Sequence, residues 1–298
     1  MSDKMRGHIM LASMSMGLWE GRKNDRKSAA KIETENSAKT GTTSAAKHLA
    51  AGCAEHDAIK KYAAMTRVWW NKVTLPWFDG KGAPRAVNPA GVLDLKIELG
   101  DRARHFDDLV QDFIRVYPTM LTNQQFNMGH LFDPSEFPTV SKMRHKFYFR
   151  TDFVALPRSD DIRLAEGMTT EDAKALATEA AEREKQRFET AANTAATRLY
   201  EVVESMHKTM STKIGEKGAK FNDSKLENII AVVELMPLLN VTNNPKLTEL
   251  AKAAKKLATK SPGELREDEV KRAEAAKEAK SLADKLAGAF DVTTDEDE

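Results

Sequence analysis

Apolar positions recur along this chain with two periods, and the changes of period mark its elements. From His8 to Trp19, Ile9 and Leu11 alternate with Met10, which reads as a strand with apolar groups on both faces, ended by Gly21. Residues 22–43 are rich in Lys, Ser, Thr and Asn without a sustained period, so they read as a loop or a polar helix. Between Ala45 and Val73 the residues Leu49, Ile59, Tyr62, Ala63, Trp69 and Val73 fall at helical intervals, and Gly52 offers a division into two helices. Residues 75–89 hold Pro76, Gly80, Gly82, Pro84 and Pro89 and predict an irregular loop. A second helix opens at Pro89 with Leu95, Leu99, Phe106, Val110, Phe113 and Val116 on its stripe, and Pro118 is expected to end it.

The period then changes to two. After the aromatic and turn residues of 132–138 and one helical turn over 139–144, Phe147, Phe149, Thr151, Phe153 and Ala155 share one face of a strand over 146–156. Lys146, Tyr148, Arg150 and Asp152 share the other. A lone strand cannot satisfy its backbone, so the early strand is its simplest partner and a small antiparallel sheet follows.

Helical periodicity returns after Thr169 or Thr170, with Glu171 and Asp172 in the first turn. The seam Leu176, Ala180, Phe188, Ala191, Ala195, Leu199, Val202, Met206 and Met210 spans roughly 60 Å, longer than a compact domain. Ser224 with Glu227, and Ser261 with Glu264, read as capping boxes for later helices, and Pro237 bends or ends the first of these. The last two helices are Ala- and Lys-rich, and are expected to dock on a neighbouring surface or associate between subunits. The fold class is therefore mainly α with a small antiparallel β-sheet. Its parts are an α+β core domain over 1–165, a long helix and helical hairpin over 166–240, Ala/Lys-rich helices over 241–290 and an acidic tail over 291–298.

Composition narrows the picture. With 41% hydrophobic and 31% charged residues, the chain can build a real core. Five acids and no base lie in residues 291–298, so the net charge of +1 conceals a mildly basic body that suits a polyanionic partner. Cys53 is the single cysteine, which excludes an intramolecular disulfide and a cysteine zinc site and points to a reducing, cytoplasmic setting. No apolar run is long enough to span a membrane.

Signatures of catalysis are missing: there is no phosphate loop, dinucleotide fingerprint or serine elbow, so a non-enzyme without cofactor or metal is expected. Gly215-Glu216-Lys217-Gly218 reads as a solvated turn, and Asp107, Asp108 and Asp112 as the wet face of a helix. His48 and His56, eight residues apart, lack a recognised ligand spacing. Two basic-aromatic clusters stand out. One contains Arg67, Trp69, Trp70, Lys72, Trp77, Phe78, Lys81 and Arg85. The other contains Lys142, Arg144, Lys146, Tyr148 and Arg150, with positions 144, 146, 148 and 150 on one side of the strand. Cations that follow phosphates and rings that stack on bases suit single-strand recognition. The same tryptophans also read as core, and the same cations as a solvated face.

Leu18-Trp19-Glu20-Gly21-Arg22-Lys23, Leu75-Pro76-Trp77-Phe78, Leu131-Phe132-Asp133-Pro134-Ser135-Glu136-Phe137-Pro138 and Lys146-Phe147-Tyr148-Phe149 together resemble an uncharacterised family of bacteriophage and prophage proteins encoded among replication and recombination genes. The likeness covers about Ile9 to Leu164, includes no catalytic motif and implies a phage setting. The acidic tail resembles those of phage and bacterial single-strand binding proteins, although it lacks a terminal Pro-Phe, for which Phe290 is a partial substitute. These readings converge on a non-catalytic, homo-oligomeric protein that binds single-stranded DNA to protect or anneal it, with a phage or host replication or recombination protein as a further partner. Arg67, Lys72, Lys81, Arg85, Arg144, Lys146 and Arg150 would hold phosphates, and Trp70, Trp77 and Tyr148 would stack. The alternative is a structural or adaptor protein forming a ring, filament or scaffold.

Overall fold

The early strand forms where alternation requires it: β1 is Met10–Gly17. The computed structural model describes residues 9–80, 82–156, 169–214, 216 and 221–292. Lys81, the glycines and lysine of the 215–218 turn, and the acidic tail from residue 293 onward lie outside the described residues. The polar stretch after Gly21 is not a plain loop. It contains β2 (Arg22–Asn24), α1 (Arg26–Glu35) and, beyond it, β3 (Ala46–His48), with β2 and β3 paired antiparallel. Gly52 takes a φ of 75°, in the left-handed region, and the helix α2 begins after it at Ala54–Val73.

Residues 75–89 also depart from the expected irregular loop, because they contain β4 (Leu75–Pro76) and β5 (Arg85–Val87). A 3-10 turn at Pro89–Gly91 leads into α3 (Val92–Met128), which runs through Pro118 without stopping. Tyr117 and Met120 are buried on either side of that proline, and their packing outweighs the one backbone hydrogen bond that proline removes. Then come α4 (Val140–Arg144), capped by Thr139, and β6 (Tyr148–Ala155). The main sheet has the order β4-β5-β1-β6, so the early and late strands are neighbours as the sequence requires. Met10 stands opposite Val87 and Leu11 opposite Ala86 in the antiparallel β1–β5 pair.

Helix α5 (Thr170–Ser211) opens with a complete capping box, Thr169 and Asp172 each accepting from the other's end of the turn. It is followed by α6 (Ser224–Leu239), α7 (Pro245–Ala258), α8 (Pro262–Glu267) and α9 (Glu269–Ala287). The two other expected capping boxes do not form: Asp223, not Ser224, is the N-cap of α6, and neither it nor Ser261 makes a side-chain cap bond. Pro262 at the first position of α8 meets that end of the helix without a donor to satisfy.

The chain divides into two units, each built from separated stretches of sequence. Unit 1 consists of Met1–Ser13, Asn71–Leu95 and Asp152–Glu298; unit 2 consists of Met14–Trp70 and Lys96–Thr151. In unit 1 a single core joins Ile9, Leu11 and Trp77 to α5, α6, α7 and α9. The Ala-rich helices pack into this core through residues such as Leu247, Ala254, Ala275 and Leu282. Ala191, Ala195, Ala275 and Ala279 are fully buried, because small side chains let α5 and α9 approach closely. In unit 2 the core joins Leu49, Ile59, Phe106, Phe113, Tyr117, Met143 and Phe147. Trp19 covers it, stacked on Phe113 at 6.0 Å, and its carbonyl lies 2.7 Å from His56 Nε2. Burial pushes the Tyr117 phenol up to about 12, and its hydroxyl donates to the Pro138 carbonyl at 2.7 Å.

Candidate nucleic-acid interface

Odd and even residues of the late strand do different work in unit 2. Phe147 is buried and Phe149 is half-buried, its ring 6.0 Å from that of Phe106 on α3. With those anchors inward, Tyr148 and Arg150 face out, and the Arg150 guanidinium lies 4.6 Å from the Tyr148 ring centroid. Such a pair presents one π-face in contact with a cation, and a planar guanidinium on which a base can also stack.

The neighbouring strand shapes this surface. A Cβ added at Gly17 on β1 would overlap the Tyr148 ring, so the absent side chain is what lets the ring lie where it does. Beside it is a shallow cavity of ≈ 410 Å³ lined by Phe106, Asp107, Arg144, His145 and residues 147–150. Arg144 reaches Gln111 Oε1 at 3.3 Å, and Asp107 accepts from the Gln111 amide at 3.2 Å. Arg144 and Lys146 are exposed but do not alternate along a strand as expected, since Arg144 ends α4 and β6 starts only at Tyr148. Lys146 does not line the cavity.

The first cluster is divided between the units, and part of it is structural. Arg67 is exposed on α2 in unit 2 and Lys72 is exposed on the last turn of α2 in unit 1. Trp70 and Trp77 are buried, and so are not available as stacking platforms on these surfaces. Trp69 is only half-buried, and Arg102 covers it at 3.9 Å from the ring centroid. Arg85 is half-buried; its Nε donates to Thr74 Oγ1 at 2.6 Å and its Nη2 to the Thr74 carbonyl at 3.1 Å. Arg198 donates to the carbonyls of Asn71, Lys72 and Thr74 at 2.8–3.0 Å. Burial draws the Arg198 guanidinium down to about 10, with Arg85 adding like-charge repulsion. Two arginines thus close the negative end of α2, and that role holds Arg85 away from a phosphate.

Gly17, Phe106 and Asp107 complete the Tyr148 surface and are not foreseeable there, because nothing near them in sequence places them beside residue 148. Among the described residues no group of three or more His, Cys, Asp or Glu is disposed to hold a metal, and no helix is long and apolar enough to cross a membrane. Cys53 is buried, and burial pushes its thiol up. Comparison of the chain with protein-family models, with curated proteins and with solved structures finds no match.

Proposed function

We propose that this protein is a non-catalytic accessory of phage DNA metabolism that binds single-stranded DNA in the host cytoplasm and acts as an oligomer. The observation supporting this reading is the outward-facing Tyr148–Arg150 pair with Arg144 beside it, set against a shallow cavity on a supported strand. A base stacks on the exposed ring or guanidinium, and the cations follow the adjoining phosphates. The test is anisotropy of a labelled oligodeoxythymidylate at two salt concentrations. Replacing Tyr148 by Ala is expected to cost roughly 1–3 kcal/mol per base stacked, and Arg150→Ala to lower the salt slope by about 0.7 per phosphate contact. Gly17→Ala pushes the ring out of place and is expected to weaken binding in a protein that keeps its far-ultraviolet circular dichroism. Unchanged affinity in all three variants removes this face from the function.

The scaffold reading draws on α5. Its 42 residues extend about 63 Å at 1.5 Å each, yet its buried face starts only at Glu184 and Phe188, leaving Leu176 exposed. An apolar helix edge of that kind favours self-association. Light scattering is expected to give a mass above that of one chain, and Leu176→Asp to lower it; a single-chain mass for the parent at micromolar concentration contradicts the oligomer.

A further inference from the structure

Unit 2 carries a second cationic surface that the Tyr148 face does not use. An open groove of ≈ 910 Å³ separates β2 and the first turn of α1 from residues 130–136, and Arg22, Lys23, Arg26, Lys27, Lys47 and His130 line it. Three acids share the lining, and all are engaged. Asp25 accepts from Ser28 Oγ at 2.6 Å and from the backbone of Lys27 and Ser28, capping α1. Asp133 accepts from the backbone and hydroxyl of Ser135 at 2.9 and 2.7 Å, and Glu136 pairs with Lys47 at 2.5 Å. Arg22, Lys23, Arg26 and Lys27 form no ion pair among the described residues.

Two local rules are broken here in the same electrostatic sense. Lys23 stands directly opposite Lys47 in the β2–β3 register, a like-charge pairing that destabilises a sheet. Arg26 and Lys27 occupy the first turn of α1, where no acid stands beyond the N-cap Asp25, so two cations outnumber one carboxylate at the positive end of the helix dipole. Glu136 offsets Lys47 and the field of Asp133 offsets Lys27, yet the five Lys and Arg of the lining outnumber its three acids, and an anion in the groove relieves that excess. Breaches of local preference that agree with one another mark functional places. The facing wall adds an apolar shelf, with Leu131 exposed and Phe132 half-buried and packed 5.2 Å from Phe137.

We propose that this groove is a second phosphodiester site, in which Arg22, Arg26 and Lys27 hold the backbone of a single nucleic-acid strand and the Leu131–Phe132 shelf receives a base. It takes from the function proposed for the Tyr148 face only the class of ligand, and its geometry does not depend on Tyr148. Ser28 holds the Asp25 carboxyl below the ordinary carboxylate range, and Ser135 does the same for Asp133, so both acids stay charged and engaged as a strand binds.

The full chain is tested by anisotropy with labelled oligodeoxythymidylate at two salt concentrations, alongside its melting temperature. The variant with Arg22→Ala, Arg26→Ala and Lys27→Ala is expected to bind about tenfold more weakly or worse, with a salt slope smaller by up to about 2 units. Its melting temperature is expected to equal or exceed the parent's, because two cations leave the positive end of the α1 dipole. A purely structural role would lower it. If the alanine variant melts lower, Arg26→Gln with Lys27→Gln keeps the stems and decides the matter, unchanged binding overturning the proposal. Weakening by the groove variant but not by Tyr148→Ala leaves the groove standing and removes the Tyr148 face. Weakening by Tyr148→Ala alone removes the groove, and a parent that binds no oligonucleotide overturns both.

Discussion

Replacing Trp77 by Ala is expected to cost about 3–5 kcal/mol of stability and to leave the oligonucleotide affinity of the folded protein unchanged. The indole is 4% exposed in the core of unit 1, edge-on to Phe188 with ring centroids 5.2 Å apart. Removing it opens a cavity between the sheet and α5 that rigid helices cannot collapse to fill. Its Nε1–H is buried and has no hydrogen-bond partner among the described residues, a condition that costs about 1–3 kcal/mol by itself. Trp77→Phe removes that orphan donor while keeping most of the volume, so it is expected to be far milder than Trp77→Ala. Urea unfolding at constant slope measures both. An alanine variant as stable as the parent but impaired in binding would restore the stacking role suggested by the sequence.

The second large effect is expected at Arg272. This buried arginine donates to the carbonyls of Thr209 at 2.7 Å, Met210 at 3.3 Å and Leu265 at 3.4 Å. Helix α5 ends at Ser211, so the first two belong to a last turn whose carbonyls have no partner within the helix. One planar fork therefore satisfies the ends of two helices and places positive charge where their dipoles are negative. Arg272→Ala leaves those three oxygens without that donor, at about 1–3 kcal/mol for each one left unpaired, so a loss of roughly 3–5 kcal/mol is expected. Lysine restores the charge but not the fork, so Arg272→Lys is expected to recover only part of the loss. Thermal unfolding of the two variants checks this, and equal stability of Lys and Arg at this position contradicts the geometric argument.

Features written in local periodicity are legible in the amino-acid sequence. The alternation over Phe147 to Ala155 specifies β6, the need for a partner brings β1 beside it, and Thr169 with Asp172 caps the long helix. Features fixed by a distant partner are not. Leu75–Pro76 and Arg85–Val87 are too short to carry a period, and they are strands because β1 lies next to β5. Pro76 is harmless since β4 is an edge strand, where a missing donor interrupts no central ladder. Alanines such as Ala195 and Ala275 look too small to build a core until a second helix is close enough to use them. At the candidate site, the outward face of Tyr148 and Arg150 follows from alternation. The inward orientation of Trp70 and Trp77 does not, because both tryptophan readings have the same local pattern. Arg22 to Lys27 read as solvated polar chain because the opposite wall, residues 130–136, is remote in sequence.

The interleaving of the two units sets an order of events on the ribosome. Both segments of unit 2, Met14–Trp70 and Lys96–Thr151, leave the exit tunnel before most of Asp152–Glu298 is synthesised. The core containing Ile59, Phe113 and Tyr117 therefore has all its segments available early. Ile9, Leu11, Leu75 and Trp77 are made early too, but their partners Phe188, Leu199 and Ala279 come late. Until α5 and α9 emerge, those early residues remain without their native core, and contacts of such wide sequence separation form slowly. The nascent chain thus holds these sheet residues apart from their core until the alanine-rich helices arrive, so the step that completes unit 1 waits on the last part of the chain.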